Sequence, residues 1–245
     1  MTLILLKKEL TCITASLQGL IVPVVFLVAT GLLLWVFDGS YNIPEQGYAS
    51  LSGLFELAPV LFLILIPALC MRSFSEEKKS GTEELLLTAP IPVWKIVVAK
   101  FSASSCVIFF TIFLTGISWM SVYLLGSPPG NLDAGVTLGG YAALILTALL
   151  FVSFGVFASS LSGNQITAFI VGVFLCVFFY WGFEPVSSLM PDSELQSTVR
   201  NIGILPHYKT LCQGIVDSRD VIYYLVWIVF FPVSTGMNVF ARRSW

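Results

Sequence analysis

Residues 71–100 read MRSFSEEKKSGTEELLLTAPIPVWKIVVAK, and nine of these thirty residues are charged (Arg72, Glu76, Glu77, Lys78, Lys79, Glu83, Glu84, Lys95 and Lys100). Apolar segments lie on either side, so the stretch is predicted to be a loop on one membrane face. Ser80 and Gly81 interrupt the polar run. Thr82 is then placed to cap a short helix, Glu83-Glu84-Leu85-Leu86-Leu87, with acids in the first turn where the helix dipole favours them. Thr88-Ala89-Pro90-Ile91-Pro92 stops that helix, and Trp94 follows at interface depth. A short helix along the membrane, charged before it and leucine-rich within it, is a surface on which another protein can dock.

Composition agrees with the lipid setting. The 245 residues are 57% hydrophobic and 11% charged, with a mean hydropathy of +0.91. A soluble domain carries about a quarter charged residues. Several near-uncharged runs of helix-spanning length indicate a polytopic all-α membrane protein. Five cysteines (Cys12, Cys70, Cys106, Cys176 and Cys212) are scattered singly, without metal or disulfide spacing, and four of them fall in or beside apolar segments and read as small buried residues. Lys7-Lys8-Glu9 precede a span with no evident small-residue cleavage site, so no cleavable signal peptide is expected. No basic patch suits nucleic acid.

Taken in order, 1–16 has apolar residues at helical spacing with charges opposite, an interfacial amphipathic helix. Six spans are expected at about 17–37, 53–71, 101–125, 136–158, 166–183 and 221–240, in one transmembrane domain over 1–245. The loop 72–100 joins the second and third, and a polar segment, 184–220, separates the fifth and sixth. Both termini together with the second and fourth links collect nine of the twelve basic residues, leaving Arg200, Lys209 and Arg219 opposite. The positive-inside rule therefore places both termini and the charged loop in the cytoplasm.

Motifs that carry catalytic chemistry are largely missing from the sequence. No HExxH, GxSxG, phosphate-binding loop or paired-carboxylate motif occurs, so the chain is read as non-enzymatic and without a metal or cofactor of its own. The single histidine, His207, reads as a solvated loop residue. Glu56 is the one acid inside a span, where an interfacial position competes with a polar lining of a substrate path. A secondary transporter ordinarily places ionisable or unwound elements at the bilayer midplane, and none is clear here. Ser159, Ser160, Asn164 and Gln165 suit the capping of two helix ends at a tight turn. Gly31, Gly116, Gly155 and Gly172 allow close helix approach, and none of them forms a GxxxG.

The run from Arg72 to Pro90 resembles the coupling-helix loop of ABC-2-type permeases. Further stretches (LLWVF at 33–37, LSGLF at 51–55 with Ala58-Pro59, SVYLLG at 121–126, FASSL at 157–161 with Asn164-Gln165, and GIVDSRD at 214–220) make the whole chain similar to the gliding-motility-associated permease subunit of the Bacteroidota. The resemblance implies a six-helix, type V exporter-like membrane subunit in the bacterial inner membrane, with an N-terminal interfacial helix. It implies that Glu76, Glu77, Lys78, Lys79, Ser80, Gly81, Thr82, Glu83, Glu84, Leu85, Leu86 and Leu87 contact a separate ABC ATPase, which alone holds ATP and magnesium. A second permease subunit, identical or carrying a large extracytoplasmic domain, would complete the unit. A stand-alone secondary transporter and a non-transporting, ATP-driven mechanotransmitter remain the alternatives.

Overall fold

In the computed structural model, which describes residues 2–83, 91–126, 130–190 and 193–243, the chain is 84% helical with no strand among the described residues. Helix α1 (Thr2–Ala15) turns sharply into α2 (Leu17–Trp35). Ser16 makes the elbow, its hydroxyl accepting the Gly19 N–H at 3.2 Å. A Cβ on Gly19 would overlap the carbonyl of Ile13, so only glycine lets α2 leave at that angle. A one-turn helix α3 (Ile43–Gln46), capped by Asn42, leads to α4 (Ser52–Cys70) and its continuation α5 (Arg72–Lys79). There follow α6 (Val93–Leu114), α7 (Gly116–Leu125) and α8 (Ala134–Leu161). Helix α9 (Gln165–Val177) widens into a π-helical turn, Phe178–Gly182, before α10 (Phe183–Ser188). Two short helices, α11 (Ser193–Arg200) and α12 (Ile204–Cys212), precede α13 (Ser218–Arg243).

Among the described residues, six stretches are long and apolar enough to cross a membrane: Leu17–Trp35, Ser52–Lys79, Val93–Leu125, Ala134–Leu161, Gln165–Ser188 and Ser218–Arg242. Helix α8 is the axis of the bundle. In its most apolar window 72% of residues are buried, against 28% in α2, α9 or α13. Its side chains explain this position. Gly139, Gly140, Ala143, Ala148, Ser153, Gly155, Ala158, Ser159 and Ser160 are small and all buried, which lets neighbours approach closely where lipid supplies no hydrophobic drive. Cβ atoms on Gly140 and Gly155 would run into the Phe55 ring and Cys70, both on α4. Toward α13 the gaps are filled by aromatics, with Phe154 edge-on to Phe231 at 4.6 Å and Phe179 edge-on to Trp227 at 5.1 Å.

Helix limits differ from the sequence reading in instructive ways. The loop expected over 72–100 is entered by helix from both sides. Beyond Cys70 the first left-handed residue is Gly81 (φ 71°), so α5 continues as far as Lys79. Helix α6 begins directly after Pro92 rather than near 101, and carries Lys95 and Lys100 within it. A charge marks a loop only when water is its best partner, and Lys100 has better ones. The span ending at 125 breaks at Thr115, whose hydroxyl bonds back to the Ile112 carbonyl at 2.6 Å. The segment 184–220 is mostly helical among its described residues, and α12 buries Ile204, Leu205, Tyr208 and Leu211 against the bundle.

Candidate functional site

Lys100 lies on the face of α6 that also carries Ile96, Val97, Ala103 and Ser104, all buried. It is itself only 2% exposed. Its ammonium donates to the Ser73 carbonyl at 2.6 Å, to Glu77 Oε1 at 2.8 Å and to Glu9 Oε2 at 3.3 Å. All three N–H groups are thereby used, as a buried ammonium requires. The Phe74 ring lies 5.0 Å below the charge and adds a cation–π contact. One cation thus joins three elements: α1 through Glu9, α5 through Ser73 and Glu77, and α6. Beside it a polar cavity of about 200 Å³ opens between α1 and α5, lined by Lys8, Glu9, Arg72, Glu76 and Glu77 among others.

The opposite face of α5 is held by the end of α8. Ser159 Oγ accepts the backbone N–H groups of Phe74 (2.9 Å) and Ser75 (3.2 Å), and donates to the Met71 carbonyl at 3.0 Å. A side chain inserted against the helical ladder is a recognised cause of a kink, and the turn at Met71 separates α4 from α5 there. Lys78 donates to the Ser160 carbonyl. Asn238 of α13 reaches the Ser160 hydroxyl at 3.4 Å, and Arg242 pairs with Glu83 at 3.6 Å. Helix α5 is therefore fastened to α1, α6 and α8, and α13 holds the end of α8 and Glu83 just beyond it.

What remains free is one face. Arg72, Glu76, Lys79, Ser80, Gly81 and Thr82 are exposed, while Glu77, Lys78 and Glu83 are partly covered. The Thr82 hydroxyl lies 2.8 Å from that of Ser80. Glu84, Leu85, Leu86 and Leu87, with Pro90, lie outside the described residues. Of the four residues read as caps, Asn164 does cap α9, accepting the Ile166 N–H at 3.0 Å. Ser159 and Ser160 grip α5 instead. That role was hidden because it depends on contacts more than eighty residues away.

At the other end of the bundle, Glu56 is exposed on the first turns of α4. It lies toward α12. Burial pushes the Cys212 thiol up to about 11, a hydrogen bond with Tyr208 opposes the rise, and the Glu56 carboxylate adds to it. His207 is not a solvated loop residue. It sits in α12, half-buried, 2.6 Å from Asp220 and 2.8 Å from the Asn201 carbonyl. The link is also tighter than the glycines noted in sequence suggested, because Gly135 and Gly139 do form a GxxxG. A Cβ on Gly139 would overlap the Leu211 carbonyl, and Gly214 (φ 80°) packs on the backbone of Gly135. The spacing was there to be found; its partner strip on another part of the chain was not.

An all-α bundle with six apolar helices and a charged arm at one end defines a polytopic membrane protein. The chain belongs to a family of transporter membrane components: the family described as ABC-2 family transporter protein matches residues 4–245. Such a protein is the membrane subunit of an ABC transporter, a part that is typically non-catalytic. No curated protein gives a significant match.

Proposed function

We propose that this chain couples ATP hydrolysis by a separate ABC ATPase to movement of its own membrane helices, through an arm formed by α5 and the residues up to Leu87. The observation that carries this reading is the fastening of α5. Lys100, Ser159 and Ser160 tie it to α1, α6 and α8, while Arg72, Glu76 and Lys79 face outward. A lever must be stiff where it meets the load and accessible where force is applied. ATP and magnesium would reside on the partner, whose closure can shift the helices only by its differential affinity for their two arrangements. A second permease subunit would complete the assembly, in the inner membrane with both termini cytoplasmic. The similarity to gliding-motility permeases adds a motility link to the proposal. Force transmission without a transported substrate fits the same arm.

The arm also separates two acids that the sequence treats alike. Glu76 is exposed and belongs to the docking face, whereas Glu77 holds Lys100. In native-host membranes, tagged protein should co-purify with an ABC ATPase. Glu76→Lys should lower stimulated ATPase activity while leaving the amount of chain in the membrane unchanged. Recovery of the chain without an ATPase, or full coupling in the Glu76→Lys variant, would overturn the reading.

A further inference from the structure

The chain's one histidine lies at the end of the bundle opposite Lys100. Tyr208, its neighbour on α12, donates to the Phe55 carbonyl near the start of α4, whereas Lys100 grips Ser73 and Glu77. At 1.5 Å per residue the two sites are about 30 Å apart along that helix.

Both ring nitrogens of His207 face oxygen. Nε2 is 2.8 Å from the carbonyl of Asn201, which can only accept, so this contact is made only when Nε2 carries a proton. Nδ1 is 2.6 Å from Asp220 Oδ1. With the carboxylate ionised, that contact needs a second proton on the ring. Asp220 is buried, and its Oδ2 has no hydrogen-bond partner among the described residues. The imidazole stacks on Tyr223 at 4.1 Å, and the Tyr223 hydroxyl donates to the Ile202 carbonyl at 2.7 Å. Two tethers, one able to titrate and one not, therefore hold the turn between α11 and α12.

We propose that His207 is a proton-operated latch on this turn. The doubly protonated ring bridges the Asn201 carbonyl and Asp220. A neutral ring has one N–H and keeps the stronger, charged acceptor, so the Asn201 contact is the one released. Asp220 and Tyr223 face the ring from α13. The charged side chains nearby in sequence, Arg200 on α11, Lys209 on α12, and Asp217 and Arg219 at the start of α13, are all exposed. The π-helical turn contributes Tyr180 against Tyr208 at 6.2 Å, Glu56 of α4 lies toward Cys212 farther along α12, and α8 meets α12 through Gly139. The sign follows from the proton count: the latch is closed while the ring holds two protons and opens as rising pH removes one.

Amide exchange read by mass spectrometry on the whole protein in nanodiscs tests this, at about pH 5 and about pH 8 and normalised for intrinsic exchange. Peptides covering 199–204 should lose protection at the higher pH by on the order of tenfold, the worth of one hydrogen bond. His207→Phe, which keeps the stacked ring, should show the faster exchange at both values. Tyr223→Phe should raise exchange at both and retain the step. Equal protection in the native protein at the two pH values would overturn the latch. So would a step that survives in His207→Phe or vanishes in Tyr223→Phe. The test needs no ATPase, so its failure leaves the coupling reading untouched.

Discussion

The two ends of this bundle are each fastened by a basic side chain set against carboxylate, and they differ in the kind of base. At one end the ammonium of Lys100 meets Glu9 and Glu77; at the other the imidazole of His207 meets Asp220. An ammonium ordinarily stays charged throughout the physiological range, whereas imidazole changes charge within it. The first fastening ties α5 to the bundle. The second, on the latch proposal, is conditional and ties down a short surface turn. On the coupling proposal, a part that passes force to the membrane helices benefits from a cation that does not let go. A segment meant to open benefits from one that can.

The sharpest way to break this comparison is Lys100→Met. It would leave Glu77 mostly buried without its counter-charge and Glu9 with only Lys8 at 3.7 Å, which costs about 3–5 kcal/mol. The amount of chain in the membrane and its melting temperature in detergent should both fall. Adding Glu9→Gln and Glu77→Met should recover much of the loss, because the acids would then need no cation. A smaller effect is expected at the His207 end from Gly139→Val. Its side chain would overlap Leu211 and press on Gly214, destabilising by about 1–3 kcal/mol. Gly31→Ala, with nothing within 4 Å, provides the unperturbed control in the same melting experiment.

Ser159→Ala should cost about 1 kcal/mol and loosen α5 specifically, read as faster exchange of the amides of 74–78 with the rest of the bundle unchanged. The mildest probe is chemical. Cys12 is exposed, whereas Cys212 is partly covered and its thiol is pushed up to about 11. A maleimide at about pH 8, which reacts through the thiolate, should label Cys12 first. Cys212 should respond only as pH climbs toward its raised value. Equal rates at both would show that α12 is not packed as described.

Much of this was legible in the chain itself. Apolar runs of spanning length, with charge confined between them, are dictated by the price of charge in lipid, so the all-α class and six apolar helices followed from composition and pattern. The charges from Arg72 to Lys79 likewise marked a segment apart from the apolar helices, though not that it is helical or which of its faces is free. Glu76 and Glu77 are adjacent and chemically alike, and only rotation about the helix axis sends one outward and the other to Lys100. Lys100 looked like a loop charge because its two carboxylates come from residues far from it in sequence. Ser159 looked like a cap, and His207 like a solvated side chain, for the same reason. Sequence fixes what each residue can exchange locally with water, lipid or its own helix. Which distant group replaces that water is decided by packing, and here it turned a loop lysine into a buried junction and a lone histidine into a bridge.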